Sequence, residues 1–385
     1  MKILHVIPYF QPEYGYEDYF HAVEQYRLGH DVYVATSKFY NPMIKNGKRI
    51  EIKTDPSKEK INVIRLPSLE IPRCCQNILF GLNKLIRKLK PDLLYVHGPD
   101  NTSSFQVLLA QLQLKLPCKY VIDVHSDGTD LSDVKNQSLI KRFKRGYKYL
   151  IGKMQMRKSD KIIFFAQDEK NIFTRRYHLD AKKTIAVPMG VSTIRFVFNE
   201  FDRIEVREHY NITSDEFVGI ISGRITREKK HDELIRAIGT INKSIRLLVV
   251  GDINAEYKLY LEKVASMNGL SKESIIFVGE IKNCDLSKFF CAADVGFWVS
   301  NYSVGILEAY ACNLPVILCR EATGYYPALD ESLIVLNGCF SDAVKIADIL
   351  RQDKDLLSKL RKTAREIAVN CSYAKMANSI LSSIY

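Results

Sequence analysis

Two stretches in the second half of this 385-residue chain bring together groups suited to holding a phosphorylated ligand. The first, GRITREKK from Gly223 to Lys230, follows the strand-like run Val218 to Ser222 and precedes the helical pattern Asp232 to Ile241. Glycine lets the backbone turn sharply. Arg224 and Lys229 then project from a strand end, where a guanidinium fork and an ammonium can neutralise a diphosphate without a metal. A solvated basic loop is the plainer alternative. The second stretch, SNYSVGILEAYACNLPVIL from Ser300 to Leu318, follows the apolar run AADVGFW. Ser303 is placed to cap a helix, with the amides of Ser303, Val304 and Gly305 and the helix dipole turned toward an anion. Glu308, about a turn and a half further on, offers a carboxylate to the two hydroxyls of a ribose. A capped helix with a surface glutamate is the plainer alternative here.

Such groups need a scaffold that delivers them to one edge. Short β-branched and apolar runs alternate with longer helical patterns: Ile3 to Ile7, Val32 to Thr36, Leu93 to His97, Tyr120 to Val124, Ile162 to Ala166 and Thr184 to Val187. That rhythm predicts a parallel sheet with crossover helices. It restarts after VPMGVSTIRF with Val218 to Ser222, Arg246 to Val250, Ile275 to Val278, Val295 to Trp298 and Val316 to Cys319. The expectation is α/β, with two doubly wound domains in tandem and a break near Val191 to Arg203, where Pro188, Gly190 and polar residues interrupt both periods. A chain of this length divides naturally into two domains. Ligands of open α/β sheets bind beyond the carboxyl ends of the strands, which is where both basic and helix-start stretches fall.

Taken together, GRITREKK, the VGE of Val278 to Glu280 and SVGILEAYACNLPVI resemble the donor-binding half of family-4 retaining glycosyltransferases (glycosyl transferases group 1), which have the GT-B fold. IPYFQPEYGYE, YRLGHDVYVATS, PDLLYVHG, DVHSDG and VPMGVSTIRF resemble that family's N-terminal segments in the same order. The resemblance implies two Rossmann-like domains facing a cleft: an acceptor domain over 1–195, a nucleotide-sugar domain over 196–370, and a C-terminal helix over 371–385 packing back on the first domain. It makes Arg224 and Lys229 the diphosphate ligands and Glu308 the ribose ligand. Gly15 and Tyr16 would bring backbone amides near the phosphates, and His125 would contact the transferred sugar. Gly279 and Ile281 would border the nucleobase. Many members carry two glutamates separated by seven residues; the first of these positions is Ser300 here, which bears on donor choice. A second glycine that members often have near the N-terminus is Tyr16.

The implied activity is metal-independent hexosyl transfer from a UDP- or GDP-sugar to a lipid-linked or polysaccharide acceptor in surface polysaccharide synthesis, with anomeric configuration retained and no cofactor. An epimerase or phosphorylase on the same fold is an alternative. Another is a catalytically degenerate nucleotide-sugar-binding subunit, suggested by Ser300.

Charge distribution points to the other partner. The net charge is +12. Residues 1–198 hold 33 Lys or Arg against 19 Asp or Glu, a surplus of +14, while the remainder holds 23 against 25, or −2. Ten basic residues crowd Lys135 to Lys161 with Asp160 as their lone acid, interleaved with Leu139, Ile140, Phe143, Tyr147, Tyr149, Leu150, Ile151 and Met154 at helical spacing. Arg73, Lys84, Arg87, Lys88 and Lys90 lie beside Ile78, Leu79, Phe80 and Leu85 in a second such element. Both predict attraction to an anionic membrane surface, with a solvated helix face as the ordinary alternative. Nucleic acid is not expected, since no recognition motif accompanies the charge. Neither Asp-x-Asp in a metal-binding context nor HExxH nor GxSxG occurs, which removes support from metal-dependent and hydrolase readings. Nine cysteines without CxxC spacing, no secretory h-region and no long apolar span suggest a cytoplasmic protein, peripheral at the inner face of the cell membrane.

Overall fold

The computed structural model describes residues 1–14, 16–42, 48–53, 61–71, 76–124, 139–300 and 303–385. They form two units, Met1–Pro188 with Tyr373–Tyr385, and Met189–Ser372.

In the first unit the strands are β1 (Lys2–Val6), β2 (Asp31–Ser37), β3 (Asn62–Leu66), β4 (Ser68–Ile71), β5 (Gln76–Leu79), β6 (Leu93–His97), β7 (Lys119–Val124), β8 (Lys161–Phe164) and β9 (Thr184–Ala186). Seven of these make a parallel sheet in the order β3-β2-β1-β6-β7-β8-β9, and β4 and β5 form an antiparallel pair. Its helices are α1 (Glu17–Arg27), α2 (Leu82–Leu89), α3 (Thr102–Leu114), α4 (Leu139–Lys158) and α5 (Gln167–Tyr177). Leu93 to Val96 are wholly buried, as strands covered on both faces by crossover helices must be.

The second unit repeats the design with β10 (Phe217–Ser222), β11 (Ile245–Val250), β12 (Ile275–Gly279), β13 (Val295–Trp298), β14 (Val316–Cys319) and β15 (Ile334–Val335), ordered β12-β11-β10-β13-β14-β15. Around it lie α6 (Glu200–His209), α7 (His231–Ile241), α8 (Ala255–Met267), α9 (Leu286–Ala292), α10 (Gly305–Ala311), α11 (Phe340–Gln352) and α12 (Lys354–Asn370). Two buried clusters cover its two faces, one around Trp298, Tyr310 and Phe290, the other around Leu247, Ile235 and Phe297.

After Pro188 the chain leaves the first unit; Val191 then pairs with Ser372, and its amide donates to the Cys371 carbonyl at 2.9 Å. The last helix, α13 (Tyr373–Ile384), belongs to the first unit and packs on α1, with Tyr373 stacked on Phe20 at 4.9 Å between ring centres.

Edge strands β3 and β15 and the β4–β5 pair were not legible in the periodicity. β3 carries Arg65, whose guanidinium reaches the carbonyls of Phe10 and Ser37, and β15 is two residues long. In each sheet the chain reverses its winding between two adjacent strands, β1 and β6 in the first and β10 and β13 in the second, and the carboxyl edge at such a point is the place for a ligand.

Candidate active site

Three glycine turns floor the carboxyl edge of the second sheet. Gly223 follows β10 at φ 106°, Gly251 follows β11 at φ 143°, and Gly279 ends β12 at φ 86°. A Cβ on Gly251 would sit 1.9 Å from the Gly223 carbonyl oxygen, so only glycine lets the two turns lie side by side. The Gly223 amide donates to Val250 O at 3.0 Å and the Gly251 amide to Gly279 O at 2.8 Å. Gly251 escaped notice in the sequence because its role depends on a neighbour 28 residues away in the chain.

Arg224 is exposed directly beyond this floor, while Ile225, buried, anchors the turn and donates its amide to Asp252 O at 2.9 Å. Lys229 ends a short 3-10 turn, Arg227–Lys229, with Nζ 3.4 Å from where a Gly223 Cβ would stand. Burial and then the neighbouring Arg224 push its ammonium below the usual lysine range, and no carboxylate among the described residues offsets them. Two cations therefore act on one another beside the Gly223 turn. Ser300 does not replace the missing carboxylate: its Oγ donates to the Lys229 carbonyl at 2.7 Å, tying the loop after β13 to the lysine turn. Next to Lys229, His231 is buried and pushed down to about 4, by desolvation first and Lys229 second, and its Nε2 has no hydrogen-bond partner among the described residues.

One expectation is corrected at α10. Val304, not Ser303, is its N-cap, with no side-chain cap bond. Ser303 Oγ instead accepts from the Trp298 indole Nε1 at 3.2 Å, because the buried indole at the end of β13 needs an acceptor and the serine lies within reach. The first turn of α10 is closed by Ile306 N to Ser303 O at 3.1 Å and Leu307 N to Val304 O at 2.9 Å. Gly305 brings this turn against β10: an added Cβ would stand 3.2 Å from both Ser303 Oγ and the Trp298 ring, and 3.6 Å from Ser222 Oγ. Arg224, Lys229, Ser300, Ser303, Val304 and Gly305 thus gather where β10 and β13 end.

Glu308 is buried, with 7% of its surface exposed, rather than on the helix surface. Desolvation raises its carboxyl to about 7, against the pull of Asn283 and Arg195. Asn283 Nδ2 donates to Glu308 Oε1 at 3.3 Å, and Asn283 Oδ1 is buried without a partner among the described residues. A half-neutral carboxyl beside an orphaned amide oxygen is a pair prepared for hydroxyl groups that donate and accept. Asn283 follows β12 in the turn Asn283–Asp285, and its role was hidden in the sequence because the contact joins residues 25 apart. Gly279 and the half-buried Ile281 precede it on the same loop, and Ile281 rests on the core of this unit.

The remaining expected residues fall elsewhere. Tyr16 belongs to the first unit, where it is exposed, extended, and stands immediately before α1. Gly15 and His125 lie outside the described residues.

Two copies of a Rossmann-like unit, with a cationic edge at the winding reversal of the second, define the GT-B architecture of nucleotide-sugar enzymes. Comparison with known proteins agrees: residues 216–348 match the family model described as glycosyl transferases group 1, and residues 21–195 that of glycosyltransferase family 4. The chain belongs to this family and is a glycosyltransferase. It is 27% identical over 369 residues to alpha-monoglucosyldiacylglycerol synthase of Acholeplasma laidlawii, spanning 90% of this chain and 86% of the relative. Its fold is similar to that of a glycosyltransferase from Rickettsia africae, with a TM-score of 0.74 at 19% identity, covering 100% of this chain and 97% of the other. It is also similar to HepE of Anabaena, solved with UDP, with a TM-score of 0.73 at 16% identity, covering 100% and 99%.

Proposed function

We propose that the chain transfers a sugar from a nucleotide-diphosphate sugar to a lipid or lipid-linked acceptor at an anionic membrane surface. The observation that carries the donor half is the pair Arg224 and Lys229, two cations at the winding reversal of the second sheet, the lysine held down by burial and by Arg224 with no carboxylate offsetting them among the described residues. A diphosphate leaving group would supply the missing negative charge, with the amides of Ser303, Val304 and Gly305 beside it. Glu308 and Asn283 would take the ribose, and the loop from Gly279 to Ile281 would border the base. Stabilising a departing diphosphate in this way is commonly the largest catalytic contribution. In a retaining transfer the leaving phosphate itself would accept the acceptor's proton.

The acceptor half is supported by α4. Ile151, Gln155 and Met156 are its buried face, whereas Tyr147, Leu150 and Met154 are exposed, with Arg157 and Lys158 also exposed at its end. An outward apolar stripe flanked by cations is the composition of an interfacial helix. Among the described residues no helix is long and apolar enough to cross a membrane. The glycolipid in the name of the Acholeplasma relative supports this reading.

Thermal shift across UDP, GDP and their sugars should raise Tm with the donor's nucleotide, and Arg224→Ala should abolish that shift. A full shift in the variant would refute the donor site. Flotation with anionic vesicles should fall in a Leu150→Ser/Met154→Ser protein; unchanged flotation would refute α4 as the docking helix.

A further inference from the structure

The lysine turn of the second unit carries a further cation that the donor reading leaves unused. Arg227 opens the 3-10 turn that Lys229 ends. Its guanidinium lies over two rings of α8 at once, 5.1 Å from the centre of Tyr257 and 5.0 Å from that of Tyr260. These rings are three residues apart on one face of the helix, 5.9 Å between centres and 16° from parallel. Glu256, also on α8, accepts from Arg227 Nη2 at 3.0 Å. All of these residues belong to the second unit.

The platform beneath Arg227 is firmly built. Asn254 caps α8, its Oδ1 accepting from the Tyr257 amide at 2.8 Å. Tyr257 is buried in the core cluster that holds Ile235, Leu247 and Val249, and Tyr260 packs half-buried against the same cluster. The Tyr260 hydroxyl donates to Asp232 Oδ2 at 3.2 Å and accepts from Arg236 at 3.1 Å, both on α7. Two ring faces fixed in this way suit a guanidinium, which is planar, weakly hydrated and drawn to the negative face of an aromatic ring. Glu256 adds little to the hold, because its side chain is 88% exposed and an ion pair in water is weak.

The turn needs such a hold. Inside it, Lys229 N donates to Thr226 O at 3.2 Å and Lys230 N to Arg227 O at 3.0 Å, and no side chain caps it. Outside it, the Ile225 amide on Asp252 O precedes the turn, and the Ser300 hydroxyl on Lys229 O follows it. Between these two points the Arg227 side chain ties the turn to α8. Burial and the neighbouring Arg224 both oppose the Lys229 ammonium, so a loosened turn would let it swing toward water.

We infer that Arg227 is a positioning residue for donor binding: stacked on Tyr257 and Tyr260, it holds the turn that keeps Lys229 at the donor diphosphate. The inference rests on the proposed donor reading for the role of Lys229. Arg227 acts through Lys229 rather than on the ligand, since its guanidinium is engaged by two rings and a carboxylate of α8.

Calorimetric titration of the full chain with UDP and with GDP tests this. Arg227→Ala should weaken binding of the preferred nucleotide about 3- to 10-fold, the scale of two partly exposed cation–π contacts. Tyr260→Leu should cause a similar loss, while Tyr260→Phe, which keeps the ring, should stay within about 2-fold of wild type. Arg227→Lys, which keeps a cation for the rings, should recover part of the loss. In a Lys229→Ala background, Arg227→Ala should add less than about 2-fold, because both changes act through one ammonium. Tm should fall by no more than a few degrees in any of the single variants at Arg227 and Tyr260.

Unchanged affinity in Arg227→Ala would overturn the inference. So would a loss that simply adds to that of Lys229→Ala, which would make Arg227 a phosphate ligand in its own right, or a Tyr260→Phe protein as weak as Tyr260→Leu. A wild type that binds neither UDP nor GDP would overturn the donor reading and this inference with it, whereas normal nucleotide binding in Arg227→Ala would overturn this inference alone.

Discussion

The two ends of the second sheet use the same kind of side chain for opposite purposes. At the amino end, Arg203, Arg207 and Arg361 converge on one buried carboxylate, Asp294, at 2.7–2.8 Å, and Asp294 also accepts from the Val218 amide at 2.9 Å. At the carboxyl end, Arg224 and Lys229 stand together, and among the described residues burial and then Arg224 push the lysine below its usual range. Cations gathered on a buried carboxylate within the fold hold β10 and β13 to the flanking helices. Charge that is left unmatched at a strand end waits for an anion from outside.

Breaking the matched end should have the largest effect. Asp294→Ala leaves three guanidiniums around an emptied buried position, and removal of one partner from a buried ion pair costs about 3–5 kcal/mol. Urea unfolding should report a loss of that size. Where enough folded protein remains, nucleotide affinity should be close to wild type. A stability change under about 1 kcal/mol would mean that the cluster is not the anchor its geometry indicates.

Lys229→Ala is the converse experiment. The folded state should lose little, because burial opposes the ammonium and no carboxylate among the described residues offsets it, while kcat/KM should fall by about 10²–10³, as when one transition-state donor is removed. Equal transfer rates with a lower Tm would invert the comparison and make Lys229 structural.

What was legible in the sequence follows the same division. Strands β6, β13 and β14 were read to the residue, because parallel strands buried on both faces are uninterrupted apolar runs. The positions of Arg224 and Lys229 just beyond β10 were legible for the same reason. Asp294, Asn283 and Gly251 were not: their partners lie 91, 25 and 28 residues away, and only the register of the sheet brings them together. The capping role of Ser303 was misassigned for a related reason. Local spacing favours a cap, but the Trp298 indole takes the hydroxyl first. The burial of Glu308 was not legible, because packing of α10 into the core sets it and rules out the plainer alternative of a surface glutamate.

Glu308 sharpens the comparison because it sets stability against binding. A carboxyl raised to about 7 favours the protonated folded state. Its contribution is present in full below the unfolded value near 4.5 and is lost as pH rises to about 7. Glu308→Gln removes the titration. It should therefore be more stable than wild type at pH 8, by at most about 3 kcal/mol, and the gain should vanish near pH 4. Nucleotide affinity at pH 8 should fall in the same variant, since the amide is a poorer acceptor for ribose hydroxyls. Calorimetric titration with UDP or GDP beside urea unfolding at both pH values checks both signs at once.

The smallest effect belongs to Ser300, the residue that links the lysine turn to the loop after β13. Its hydroxyl makes a single bond to the Lys229 carbonyl, so Ser300→Ala should cost about 0.5–1.5 kcal/mol. The loss should appear as a modest rise in donor KM, because the lysine turn is less firmly held, with kcat nearly unchanged. If Ser300 instead touched the sugar, kcat would fall and KM would change less. The KM-to-kcat split of this one variant thus separates a clamp on the cationic edge from a group that handles the transferred sugar.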